Sequence, residues 1–182
     1  MAIFISPHND DETLFGAFTL LRTNPLVVVV YDSYLQEQRG NPVTWQQRRA
    51  ETVAACEILG VGAIFLGLSD ADPGVTAGVI RDKLRGALGD FNEAVFAPAI
   101  EPGGHEQHNL VAAAVEDRRT VCRYLTYERH AGKSTAGHAV PILTPRWIGK
   151  KLRALACYES QWDPKLGCYP HFLREQTEYY AT

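Results

Sequence analysis

The chain has little of what marks several protein classes. Its four cysteines, Cys56, Cys122, Cys157 and Cys168, are widely spaced and form no C-x-x-C pair, so they are expected to be buried thiols rather than disulfides or a metal knuckle. Long hydrophobic runs are missing: none is longer than Leu26 to Tyr31, which is far shorter than the roughly 20 residues a membrane span needs. The first residues enter an apolar run directly, without the positive segment and cleavage pattern of a secretion signal, and a soluble cytoplasmic protein is expected. No basic footprint offsets the formal charge of -3, which argues against a nucleic-acid partner. The doublets Arg48-Arg49, Arg118-Arg119 and Lys150-Lys151 each fall in a helical pattern where a solvated face is expected. Repeats, low-complexity tracts and linkers are absent too, so residues 1–182, 46% hydrophobic and 21% charged, are expected to form a single domain around one core.

What is present is an alternation of apolar β-branched runs with segments of helical period, the pattern of a mostly parallel sheet in an α/β protein. Ala2 to Ile5, Leu26 to Tyr31, Ala63 to Leu66 and Ala94 to Ala97 read as strands. None alternates cleanly, which predicts a sheet covered on both faces. Helical spacing joins Leu14, Phe15, Phe18 and Leu21; Val53, Cys56, Ile58 and Leu59 follow a capping box at Thr44 to Gln47; Val79, Ile80, Leu84 and Leu88 form a third face. Further along, Glu106 should open a helix, Val121 to Tyr127 a strand, Arg129 to Gly137 a loop, Thr144-Pro145 a helix to about Tyr158, and Phe172 to Tyr180 a last helix.

In an open parallel sheet the loops leaving the carboxyl ends of the strands share one edge. That topology should gather His8 to Glu12, Asp32 to Tyr34, Ser69 to Asp72 and Gly103 to His108, where histidines and acids concentrate. His130, His138 and His171 lie elsewhere and are expected on the surface.

Ser6-Pro7-His8-Asn9-Asp10-Asp11-Glu12, Arg48-x-x-Glu51 with Leu59-Gly60-Val61, Phe65-Leu66-Gly67-Leu68-x-Asp70, His105-x-x-His108 and Tyr158-x-Ser160-Gln161 together resemble the LmbE-like (PIG-L) metal-dependent de-N-acetylases. The resemblance covers nearly the whole chain in order. It implies a Rossmann-like three-layer α/β sandwich and a zinc site made by His8, Asp11 and His108, with Fe2+ as another candidate metal. Three protein ligands leave a position for water, as catalytic zinc requires. The resemblance also implies Asp10 as general base, His105 as the residue assisting the transition state, and an N-acetylglucosamine-type sugar or related amide as substrate. Zinc lowers the pKa of a bound water to about 7 and polarises the amide carbonyl, which explains the need for these residue types.

Two positions depart from the family pattern. Gln107 stands where an aspartate often supports the first histidine of the later motif, and Asn9 replaces a frequent proline. Glu101 is a candidate to support His105 instead. Arg48 is read either as half of a solvated helical pair with Glu51 or as a substrate contact, and Asp70 as a turn cap or a hydroxyl-binding residue. Glu12 is expected to shape the turn. Tyr34, Trp45 and Trp162 are read either as flanks of a sugar ring or as core, with core preferred, and Tyr158 to Gln161 as closing a helix near the pocket. The alternative to an enzyme is a catalytically weak metal- and glycan-binding member acting as a sensor or accessory module. A homo-oligomer is compatible with the sequence.

Overall fold

The structure, a computed structural model, describes residues 1–33, 43–90, 93–118, 120–130, 132–141, 144–161, 172–174 and 177–181, without the side chains of Ser33, Glu128 and Pro141. Tyr34, Trp162, Cys168 and His171 lie outside the described residues.

The first half is a run of βα units: β1 (Ile3–His8), α1 (Asp11–Thr23), β2 (Leu26–Ser33), α2 (Trp45–Leu59), β3 (Ala63–Ser69), α3 (Ala77–Leu88), β4 (Val95–Pro98) and α4 (Glu106–Ala114). The second half adds β5 (Val121–Tyr124), the short α5 (Tyr127–His130), β6 (His138–Pro141), α6 (Pro145–Leu155), a 3-10 turn at Glu159–Gln161 and β7 (Thr177–Tyr180). The strands make one seven-stranded sheet ordered β3-β2-β1-β4-β5-β7-β6. β1 to β5 run parallel, and β7 pairs antiparallel with both β5 and β6. The chain therefore reverses its winding on either side of β1 and β4, and ligands of open α/β sheets bind at such a switch.

Alternate residues of the central strands feed opposite layers. Phe4, Val27 and Val29 pack with Leu14, Phe15, Leu59, Leu155 and Tyr158 on one face. Ile3, Ile5, Val28 and Val30 pack with Ile80, Leu84 and Val111 on the other. Both faces are thus covered, which is why these strands read as continuous apolar runs. Helix starts follow local chemistry: the Thr44 and Thr76 hydroxyls accept from the backbone N–H three residues on, in α2 and α3.

Several expectations are corrected; Val121 to Tyr127, for one, is a strand only as far as Tyr124, and Tyr127 opens α5. Phe172 to Tyr180 is not a helix: Thr177–Tyr180 is a strand whose Glu178 lies buried under α1, accepting from Phe18 N–H (2.6 Å), Thr19 N–H (3.2 Å) and the Thr19 hydroxyl (2.7 Å). A lone carboxylate gathering these donors fixes a segment whose intrinsic preference is weak. The Arg129 to Gly137 loop opens within the last turn of α5. Two of the basic doublets are not solvated faces, since Arg48 is 1% and Lys151 2% exposed; Lys151 Nζ donates to the Leu14 carbonyl (3.2 Å) and sits over the Phe18 ring. His130 is buried among Phe15, Phe172 and Tyr179 rather than on the surface, whereas Cys56 is buried as expected and Cys122 is exposed.

Candidate active site

The carboxyl edge of β1 carries the site. β1 ends at His8, and Asn9 and Asp10 turn the chain so that Asp11 and Glu12 open α1, where the helix dipole favours acids. Asp10 holds φ 144°, a conformation that costs a non-glycine residue of order 1–3 kcal/mol and persists only where surroundings impose it. Those surroundings are visible. Glu12 Oε2 accepts from the Asp10 N–H (3.1 Å) and lies 3.1 Å from the Ser6 hydroxyl, while its Oε1 accepts from the Thr13 hydroxyl (2.8 Å) and from Tyr158. Glu12 thus shapes the turn, and Tyr158 closes over it.

From the other side Arg48, in the first turn of α2, donates to Asp10 Oδ2 (2.9 Å), to the Asn9 carbonyl and to Glu51 Oε2 (3.3 Å). Glu51 in turn accepts from the Ser160 N–H (2.9 Å) and hydroxyl (2.6 Å). Arg48 is therefore buried beneath the turn. Burial pushes the Asp10 carboxyl up; Arg48 opposes this, and the Asp11 charge adds to it.

α4 brings its first turn against this turn. His8 Nδ1, His108 Nε2 and Asp11 Oδ2 form a triangle with sides of 3.1, 3.1 and 3.0 Å. His105 stands beside it, its ring centroid 5.0 Å from both other imidazoles, and His8, His105 and His108 offer ligand atoms all within 4.8 Å of one another. Metal–ligand bonds of about 2.0–2.1 Å at tetrahedral angles put ligand atoms roughly 3.3 Å apart. The tighter triangle with Asp11 matches that spacing better than the wider histidine trio.

The hydrogen bonds behind the triangle set its electronics. Gln107 Nε2 donates to the Asp70 carbonyl (2.8 Å), so its Oε1 is the acceptor facing His8 Nε2 (2.6 Å), and His8 carries its proton there. The Thr126 hydroxyl donates to Glu101 Oε2 and therefore accepts from His108 Nδ1 (3.3 Å). Both imidazoles are thereby turned to present a lone pair toward Asp11 Oδ2. Three lone pairs aimed at one another repel unless a cation lies between them, and Asp11 Oδ1 is buried with no hydrogen-bond partner among the described residues. The donor set fits a divalent metal ion.

Charges follow the same arrangement. Burial opposes the His8 imidazolium, yet the Asp11 hydrogen bond and charge, with help from Gln107, raise its pKa overall. Burial works against the Asp11 carboxylate as well, but the charges and hydrogen bonds of His108 and His8 hold it far below its usual range. Burial, then the neighbouring His8 and His108 imidazoles, lowers His105 to about 4.

Sequence reasoning missed the partners of Gln107 and Glu101. Gln107 does not face His105 but bonds His8, and Glu101 reaches His108 through Thr126 rather than supporting His105. Asp70, at the end of β3, lies half-buried across a cavity of about 330 Å³ from Glu106. Trp45 is half-buried, with the Arg49 guanidinium 4.8 Å over its ring, rather than in the core.

A doubly wound α/β sheet with imidazoles and carboxylates converging at its switch point defines the class of this protein. The chain belongs to the PIG-L family, described as GlcNAc-PI de-N-acetylase, whose family model matches residues 3–118. Among solved structures it is similar to the zinc-inhibited form of teicoplanin deacetylase, with 20% identity and TM-score 0.73 over 93% of this chain and 89% of that one. It is likewise similar to N,N'-diacetylchitobiose deacetylase from Pyrococcus horikoshii, with 18% identity and TM-score 0.73 over 98% and 82%. A third relative in fold is 4-carboxy-2-hydroxymuconate hydratase from Pseudomonas putida, with 18% identity and TM-score 0.67 over 95% and 82%. At such identities the likeness concerns the fold, which serves more than one reaction. No curated protein matches the chain.

Proposed function

We propose that the protein is a zinc-dependent hydrolase that removes the acetyl group from an N-acetylglucosamine-type sugar or a related amide. The observation that carries this reading is the inward-facing trio of His8 Nδ1, His108 Nε2 and Asp11 Oδ2, each oriented by its own hydrogen bonds. Family membership and the deacetylases that share the fold support the reaction class. His8, Asp11 and His108 would hold the metal, which when bound supplies a lowered pKa to coordinated water and polarises a carbonyl. Zinc suits this nitrogen and oxygen donor set, and Fe2+ is the competitor.

The protein's own residues account for the proton movements. Asp10, held by Arg48 at Oδ2 and projected by its unusual backbone angle, accepts the proton of the attacking water. The water oxygen bonds to the acyl carbon, and the carbonyl oxygen gains negative charge. His105, neutral in its surroundings, donates an N–H hydrogen bond to that oxygen. The C–N bond breaks as the proton held on Asp10 passes to the departing nitrogen, leaving acetate and a free amine. Arg48 acts by positioning Asp10, and Asp70 contacts a substrate hydroxyl at the rim.

Acetate release from a panel of N-acetylated sugars, with metal removed and then zinc restored, tests this. Turnover that returns with about one equivalent of zinc is expected. Full metal occupancy without turnover of any panel member would refute the enzymatic reading and leave a metal-binding module.

A further inference from the structure

Behind His108, at the ring nitrogen turned away from the triangle, Thr126 and Glu101 form a buried relay: His108 is 1%, Thr126 2% and Glu101 7% exposed. Both come from the carboxyl ends of neighbouring parallel strands, Glu101 following β4 and Thr126 following β5, whose ladder continues through the Ala99 N–H on the Tyr124 carbonyl (2.8 Å). Glu101 Oε2 accepts from the backbone N–H (2.8 Å) and from the hydroxyl of Thr126, which leaves that hydroxyl a lone pair for His108 Nδ1 (3.3 Å). The backbone of Glu101 holds the start of α4 as well. Its N–H donates to Asn109 Oδ1 (2.9 Å), and its carbonyl accepts from Asn109 Nδ2 (3.1 Å). The same carbonyl accepts from the Gly104 N–H (2.9 Å), closing a turn with Pro102 and Gly103, at φ 77°, in its central places, as in a type II turn. One residue thus fixes both where α4 begins and which way His108 faces.

We infer that Glu101, acting through Thr126, is a positioning residue for the metal centre: it fixes the proton of His108 on Nδ1, frees the Nε2 lone pair for the cation, and strengthens that ligand with a carboxylate one hydroxyl away. The inference rests on the metal-centre reading of His8, Asp11 and His108 and holds whatever the substrate is. The hydroxyl decides the tautomer. Because its hydrogen is committed to Glu101, the opposite tautomer would set the Nδ1 lone pair against an oxygen lone pair and point an N–H at the cation. Glu101 Oε1 is buried with no hydrogen-bond partner among the described residues, and a half-satisfied carboxylate serves packing poorly, since an apolar side chain of similar size carries no such cost. The two imidazole ligands are also backed differently. His8 leans on the neutral amide of Gln107, whereas His108 leans on a hydroxyl polarised by a carboxylate, which makes His108 the stronger donor of the pair.

The test measures zinc affinity at neutral pH, by competition with a chelator, for the wild-type chain, Thr126→Val, Thr126→Ser, Glu101→Gln and the Glu101→Gln/Thr126→Val pair. Thr126→Val keeps the side-chain shape without the hydroxyl and should weaken zinc about 10–100-fold, while Thr126→Ser restores the hydroxyl and should stay within about threefold of wild type. Glu101→Gln keeps an acceptor oxygen for Thr126 but removes the charge, and should weaken zinc about three- to tenfold. In the paired variant Glu101→Gln should add less than about a twofold loss to that of Thr126→Val, because the hydroxyl it acts through is gone. Proton spectra of the zinc-loaded protein with isotope-labelled histidine should show a slowly exchanging His108 Nδ1 proton in the wild type and Thr126→Ser, and none in Thr126→Val. Urea unfolding of the zinc-free proteins separates positioning from packing: a pair that serves packing alone would lower that stability and leave zinc affinity unchanged. That result, or losses that multiply independently in the paired variant, would overturn the relay while keeping the metal centre. A wild-type chain that binds no zinc would overturn both.

Discussion

Replacing Arg48 by methionine keeps most of the apolar stem and removes the guanidinium from beneath the site. Arg48 is 1% exposed and joins Asp10, the Asn9 carbonyl and Glu51. Glu51 keeps its bonds from Ser160, so the loss falls mainly on Asp10, which is left as a buried carboxylate without its cation. Breaking a buried ion pair by removing one partner costs about 3–5 kcal/mol. At about 2–4 °C per kcal/mol for a chain of this size, Tm should fall by about 6–20 °C. Without Arg48, burial and the Asp11 charge are opposed by His8 alone, so the carboxyl shifts further toward its protonated form and is a poorer acceptor for the water's proton. Calorimetric unfolding at fixed zinc concentration, together with acetate release, measures both effects, with exposed Arg85→Met on α3 as the control expected within about 0.5 kcal/mol. A Tm loss no larger than that of Arg85→Met, with unchanged turnover, would refute the positioning role.

Gln107→Leu leaves His8 Nε2 without its acceptor and should weaken zinc affinity about 10–100-fold, measured by competition with a chromophoric chelator. Asp10→Asn should bind zinc stoichiometrically and lose hydrolysis, whereas His108→Ala should lose the metal, as metal analysis after desalting would show. Glu178→Ala leaves the Phe18 and Thr19 donors without their carboxylate and should cost about 3 kcal/mol or more in urea unfolding; a change below about 1 kcal/mol would mean that the last strand is not held through α1.

The parallel half of the fold was legible because its strands are buried on both faces, leaving unbroken runs such as Leu26 to Tyr31. The site followed from topology, since strand ends on one edge bring His8 and His108, 100 residues apart, into contact. The antiparallel end was hidden. Thr177–Tyr180 is four residues long, and its position depends on what Glu178 finds beneath α1, a tertiary fact with no local signature. Arg48 was ambiguous for a similar reason, because its i,i+3 spacing to Glu51 looks the same on a wet face and on a buried one. The orientation of Gln107 depends on the Asp70 carbonyl, contributed from another strand end. Local pattern carries the elements and their order, whereas the bonds that orient the site's imidazoles come from residues distant in the chain.

Anomalous diffraction at the zinc edge, from crystals grown with one equivalent of zinc, addresses the metal centre most directly. One peak about 2.0–2.1 Å from His8 Nδ1, His108 Nε2 and an Asp11 oxygen, with His105 outside bonding distance, is expected. A peak bonded to His105 in place of Asp11, or no peak near the triangle, would contradict it.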